Sequence, residues 1–224
     1  MIVKIGGGKM TIKIVLLGGS GFVGQGILEQ LAKDPQFGIT SISRSGGSLQ
    51  LKEKFPQVKW LRADLQKQTP KWVEILADQD WVVDLLGVLL AKNQQAYQQL
   101  TIKPILPLVA AIKENRSVKM LFVSAQTAPR VLKNYLVTKR ETEKILTEQL
   151  KTRAVFLYPS LIYHPQRQST WILAQLLLFG QHLPLLGHYL AKWQPLSRQQ
   201  FALEVKHVLL GGKSRLLQKS VTIY

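Results

Sequence analysis

The stretch IVLLGGSGFVG, residues 14–24, decides the fold. An uninterrupted apolar run leads into glycines, and an apolar-periodic segment from about Phe22 to Lys33 follows. Apolar residues without alternation predict a strand, Ile12–Leu17, covered on both faces. The glycines read both as G-x-G-x-x-G (Gly19, Gly21, Gly24) and as G-x-x-G-x-x-G (Gly18, Gly21, Gly24). Such glycines permit a tight turn, admit a pyrophosphate close to the backbone and let the helix pack against the strand. The helix N-terminus then offers free N–H groups to the anion. Gly18, Gly19, Ser20, Gly21, Phe22, Val23 and Gly24 are therefore expected to form a dinucleotide site. The alternative is a plain glycine-rich turn.

The same reading continues outward. Strands are expected at Ile39–Ser43, Val58–Leu61, Trp81–Leu86, Met120–Val123 and Ala154–Tyr158, with a last one at Ser220–Ile223. Helices are expected at Trp72–Ala77, over 93–115 with a break near Pro104, at Leu132–Leu150, near 170–180 and over 198–210. Ser197 and Gln200 form a capping box for the last helix. Alternating strands and helices imply an α/β fold, a parallel sheet with helices on both faces. Such sheets bind ligands at the carboxyl ends of their strands.

That edge collects the chemistry-bearing residues. The second strand ends SISRSGG, where an acid would hold the ribose diol of NAD; Arg44 stands there instead, between Ser43 and Ser45. A guanidinium and hydroxyls suit a 2′-phosphate, so NADP(H) is favoured and NAD(H) is second. Asp64, after the third strand, is placed to meet an adenine amino group, or else caps a turn. Gly87, after the fourth, lets the backbone approach the cofactor, or else serves a turn. Ser124 ends the fifth strand, and Tyr135 and Lys139 lie one turn apart on the following helix. A phenol with an ordinary pKa near 10 is a poor proton carrier at neutral pH, and a neighbouring ammonium lowers it. The expectation is that Tyr135 carries the proton, Lys139 lowers its pKa and grips the ribose, and Ser124 orients the substrate oxygen. The plain alternative is one turn of a basic helix.

Composition bounds the rest. With 224 residues, 46% of them hydrophobic, the chain makes a single domain, taken as 10–224, with 159–197 as a small substrate lobe. Residues 1–9 read as an extension without structural role. The absence of cysteine excludes disulfides and thiolate chemistry and fits a reducing cytoplasm. The histidines show no metal-ligand spacing, so no metal is expected.

The net charge of +17 points to anionic partners. From Ala154 onward there are seven Lys/Arg and one acid, Glu204, beside Trp171, Phe179, Tyr189 and Trp193. That mixture suits contact with an anionic membrane surface, against the plainer reading of a lobe with inward aromatics. The uncharged run Trp171–Leu190 is broken by Gly180, Pro184 and Gly187 and reads as an interfacial or buried helix followed by a loop. Nucleic acid has only the charge in its favour.

Taken together, GGSGFVG, Asp64–Leu65, Ser124 and Y-x-x-x-K at Tyr135–Lys139 resemble the short-chain dehydrogenase/reductases of the extended or atypical branch, which includes sugar-nucleotide epimerases. YPSLIYHP, residues 158–165, resembles that branch's R-P-x-x-x-Y-G segment. WVVDLLGVL, residues 81–89, and YLVTKRETEKIL are most similar to relatives of the dehydrogenase-like accessory subunit of respiratory complex I. The resemblance implies a Rossmann-like, doubly wound parallel sheet with a small C-terminal substrate lobe. It adds Leu65, Tyr158, Pro159 and Ser160 to the cofactor-binding set. It implies an NAD(P)-dependent oxidoreductase or epimerase-like enzyme acting on a small or lipid-like, quinone-type molecule. The alternative it implies is a non-catalytic NADP(H)-binding regulator or scaffold. Tyr158 and His164 depart from the branch's pattern, where arginine and glycine are usual, and Ser124 precedes Tyr135 by only eleven residues.

Overall fold

The computed structural model describes residues 11–67, 70–115, 117–180 and 193–217. The expected extension at 1–9 and last strand at 220–223 lie outside them. The chain runs β1 (Ile12–Leu17), α1 (Phe22–Leu31), β2 (Phe37–Ser43), α2 (Leu49–Lys54), β3 (Lys59–Arg62), α3 (Pro70–Ala77), β4 (Trp81–Asp84), α4 (Gln94–Tyr97), α5 (Ile105–Glu114), β5 (Lys119–Val123), α6 (Lys133–Leu150), β6 (Ala154–Leu157), β7 (Ile162–Tyr163), α7 (Gln168–Gly180), β8 (Leu196–Ser197) and α8 (Arg198–Leu209).

Six strands pair in parallel in the order β3-β2-β1-β4-β5-β6, a Rossmann-like doubly wound sheet. Strand order reverses between β1 and β4, and this reversal opens a crevice at their carboxyl ends. Side chains alternate across the sheet. Ile14, Leu16, Trp81, Val83, Leu121 and Val123 face one layer, where α1 contributes Ile27, Leu28 and Leu31, and α8 contributes Phe201, Val205 and Leu209. Val15, Leu17, Val82, Met120 and Phe122 face the other, against Trp72 of α3, Leu108 and Ile112 of α5, and Leu146 of α6. Both faces are dry, which is why these strands read as unbroken apolar runs.

The helical stretch after β4 restarts at Pro104, as expected. Gln98–Ile102 forms a π-helical turn, Pro104 stands just before α5, and Pro107 falls in that helix's first turn. A proline there removes no donor that the helix would use. The capping box of Ser197 and Gln200 starts α8 as expected. Three features are additional. α2 is a surface helix with no buried residue, capped by Ser48. β7 and β8 form a separate two-stranded parallel sheet inside the expected lobe. β4 ends at Asp84, two residues early, because Leu86 N–H turns back onto the Asp84 carboxylate at 2.8 Å.

The C-terminal helix is pinned to the first. Arg198, 6% exposed at its side chain, donates to both Glu29 oxygens at 3.1 and 2.9 Å. Its methylenes fill the space over Gly26, where a Cβ would come within 2.3 Å of Arg198 Cγ. Lys206 pairs with Asp34 at 2.7 Å, three residues past the end of α1.

Candidate functional site

Two cavities lie along the carboxyl edge of the sheet. The first, of about 380 Å³, is lined by Gly18, Ser20 and Gly21 after β1, by Ser43, Arg44 and Ser45 after β2, and by Asp64 and Leu65 after β3. The second, of about 340 Å³, takes in Phe22, Val23, Ser124, Tyr135, Lys139, Pro159 and Ser160. Both are floored by Leu85, Leu86, Gly87 and Val88, so they form one trough from β3 across to β6.

The trough suits a dinucleotide. α1 starts at Gly21 without a side-chain cap, which leaves its first N–H groups open to an anion. Gly24 lets that helix approach the turn. A Cβ there would sit 2.4 Å from Gly18 O and 2.6 Å from Gly19 Cα, both backbone atoms. Arg44 enters no ion pair among the described residues, and its neighbours Ser43 and Ser45 stand with their hydroxyls 3.4 Å apart. Asp64 is exposed and also turns its carboxylate onto Gln66 N–H at 3.1 Å. Leu65 is buried.

Around the second cavity the geometry departs from expectation. Lys139 is buried and donates to Val123 O at 2.8 Å and Leu86 O at 3.4 Å. Its Nζ lies 5.9 Å from the Tyr135 ring centroid. Burial, and next the adjacent Tyr97, push the Tyr135 phenol up to about 12, with only Arg140 opposing. The expected lowering by Lys139 is not seen, because the ammonium is held by backbone carbonyls on the inner side. Burial in turn pulls Lys139 down to about 8, against the charges of Asp84 and Glu143.

Ser124 is also turned inward. Its hydroxyl donates to the buried Glu143 carboxylate, which Arg140 clamps as well. Arg140 reaches on to Ala125 O at 2.9 Å and Gln126 O at 3.2 Å, fixing the turn that carries Ser124. Tyr158 does not line the trough. Its hydroxyl lies 3.4 Å from Glu143 Oε2, and burial first, then Glu143, push it up to about 12. Ser160 lines the cavity and donates to Gln194 O.

Sequence reasoning missed Asp84, Arg140, Glu143 and Arg167. Glu143 follows Lys139 by four residues, so helical spacing alone puts it on the same face. Asp84 is the one charge in an otherwise apolar strand. Arg167, over the Phe22 ring at 5.2 Å, comes from the lobe, where nothing local marks it. Among the described residues, no helix is long and apolar enough to cross a membrane.

The comparisons agree with this architecture. A family model described as the NAD dependent epimerase/dehydratase family matches residues 14–177. A UDP-glucuronic acid 4-epimerase from Bacillus cereus, in complex with UDP-4-deoxy-4-fluoro-glucuronic acid and NAD, superposes with a TM-score of 0.68 at 17% identity, over 93% of this chain and 76% of that one. A crystal of that epimerase with NAD gives 0.58 at 22%, over 70% and 58%. A short chain dehydrogenase family protein from Francisella tularensis gives 0.64 at 15%, over 89% and 91%. At these identities the likeness is one of fold. An uncharacterised chloroplastic protein of Arabidopsis thaliana is 28% identical over 175 residues, covering 76% of this chain. The chain spans 57% of that relative's length.

Proposed function

The chain belongs to the NAD dependent epimerase/dehydratase family, and from that premise we propose that it is a nicotinamide-dinucleotide-dependent epimerase or oxidoreductase. The observation that carries this is the single trough: an anion cradle at one end, Tyr135, Lys139 and Ser124 at the other, and one floor beneath both. The solved epimerases of this fold hold NAD. Arg44 with Ser43 and Ser45 supports NADP(H) over NAD(H) here, because a guanidinium and hydroxyls complement a 2′-phosphate.

When bound, the dinucleotide supplies the ring that accepts and returns hydride. The chain supplies proton handling and alignment. With its pKa near 12, Tyr135 is protonated at neutral pH, so its Oη donates to a carbonyl oxygen in the reductive direction. Lys139 lines the second cavity and would hold the ribose with the N–H that Val123 O and Leu86 O leave over. Ser124 donates its hydrogen bond to Glu143 and accepts one from Arg140 Nη1 at 3.4 Å. The lone pair left over would accept from a substrate hydroxyl at the cavity that Ser124 lines. Replacing Tyr135 by phenylalanine should leave dinucleotide affinity within about twofold and abolish turnover, since only the proton is lost. The assay is NAD(P)H oxidation against a panel of carbonyls, sugar nucleotides and quinones. Turnover that survives in the variant would remove Tyr135 from the chemistry.

A second reading has its own support. Ser124 and Lys139 both spend their polar atoms inward, and the phenol is raised rather than lowered. That pattern suits a protein that binds the dinucleotide as a regulator or scaffold. The likeness of residues 81–89 and of the Tyr135–Lys139 helix to the complex I accessory subunit's relatives favours the same role. Its partner would be an anionic membrane surface, met by α7, where Ile172, Leu176 and Phe179 are exposed. A wild type that binds dinucleotide yet turns over nothing on the panel selects this reading.

A further inference from the structure

Asp84 is unused by the chemistry above. It closes β4, in register between Leu17 of β1 and Phe122 of β5, and none of its surface is exposed. Its Oδ1 accepts from Leu86 N at 2.8 Å, while buried Oδ2 has no partner among the described residues. Packing alone does not call for a carboxylate there. Asparagine would accept from Leu86 equally well and bring no charge into an apolar layer.

The compensating charge is close. Lys139 Nζ stands 4.4 Å from the centroid of the Phe122 ring, Asp84's neighbour in the sheet. Leu86 serves both groups: its N–H goes to Asp84 and its C=O accepts from Lys139. The next residue, Gly87, has φ +137, and a Cβ on it would come within 3.5 Å of Nζ. The titratable groups around Lys139 are Asp84 from β4, Glu143 and Tyr135 from its own helix, and Tyr97 beyond Tyr135.

We infer that Asp84 is a positioning residue: its carboxylate, seated under Leu86, holds Lys139 as an ammonium and fixes the Leu85–Gly87 floor shared by both cavities. The functional part of this rests on the proposed dinucleotide site. The electrostatic part rests on the ligand-free protein. Burial raises Asp84 to about 6, with Lys139 opposing, and lowers Lys139 to about 8, with Asp84 and Glu143 opposing. Between those values both groups are charged, and each sustains the other.

The test is the unfolding free energy of ligand-free wild type and Asp84→Asn across pH. For Asp84 the folded protein binds the proton more tightly than the unfolded chain, whose value is 3.8, so stability falls as pH rises from 3.8 to about 6. For Lys139 the unfolded chain, at 10.5, holds its proton longer, so stability climbs as pH rises from about 8 to 10.5. Asp84→Asn should abolish the acid-side fall and start the alkaline climb about 1 unit lower or more. A purely structural role would displace the curve by a constant. The alkaline limb of dinucleotide affinity should move down with it. Absence of dinucleotide binding in the wild type would sink the proposed function but leave the unfolding curves to decide on Asp84. Curves parallel at every pH would overturn the inference. Should the variant fail to fold, ¹³C spectra of the wild type decide: one aspartate carboxyl titrating near 6 supports it, and none above about 4 refutes it.

Discussion

Replacing Arg44 by aspartate should reverse the preference between NADPH and NADH. Arg44 opens the turn after β2 and lines the first cavity, with no carboxylate of the described residues engaging it. Ser43 accepts from Gly46 N at 3.0 Å, which aims the Ser43–Ser45 hydroxyl pair at the same space. A charge-assisted hydrogen bond to a phosphate contributes about 1.5–3 kcal/mol. At about 1.4 kcal/mol per decade, the wild type should bind NADPH roughly ten- to hundredfold more tightly than NADH. In Arg44→Asp that contact is gone and a carboxylate faces the phosphate, while the same carboxylate can accept from the ribose hydroxyls of NADH. NADH should then bind more tightly. Fluorescence titration of both dinucleotides gives the ratio directly, and a low-salt repeat should widen it in the wild type. Equal wild-type affinities would refute the reasoning, and so would a ratio that Arg44→Asp leaves unchanged.

Other substitutions probe the scaffold and the lobe. Gly24→Ala drives a methyl into Gly18 O and Gly19 Cα, so it should cost about 3 kcal/mol or more and remove dinucleotide binding; unaltered binding would contradict the close approach. Arg198→Met leaves Glu29 without its buried partner and should cost about 3 kcal/mol, a fall of roughly 6–12 °C in Tm by scanning calorimetry. An unchanged Tm would show that Lys54, 2.8 Å from Glu29, suffices alone. For the membrane reading, co-sedimentation with anionic vesicles at low salt should be lost at high salt and in Leu176→Glu with Phe179→Glu. Absence of low-salt binding would leave the charge as a solubility feature.

The centre of the sheet was legible because β1, β4 and β5 are covered on both sides, and a two-sided burial leaves an apolar run with no competing period. Ile12–Leu17 therefore reads to the residue, and Trp81–Asp84 was misjudged only where Asp84 turns the chain. The glycine turn was legible because its spacing is set by backbone contact, as Gly24 against Gly18 shows. The electrostatics were not legible. Whether Lys139 lowers Tyr135 depends on which way its ammonium points, and spacing along a helix leaves that open. Ser124 stands at the expected strand end, yet its hydroxyl answers to Glu143, nineteen residues on. The two-residue strands β7 and β8 are too short to leave any period, and they meet across more than thirty residues.

The clamp between Arg198 and Glu29 also governs when the site comes into being. Helix α1, which opens at the glycine turn, leaves the ribosome long before α8, which clads its inner face. Until residues 198–209 have emerged, Ile27, Leu28 and Leu31 lack Phe201, Val205 and Leu209 against them. The nascent chain thus exposes an apolar stripe beside its glycine turn while residues 32–197 are made, an interval in which a chaperone or a premature ligand could engage it. A chain cut at residue 177, where the family match ends, would carry every motif of the cradle and still be unable to hold it in shape.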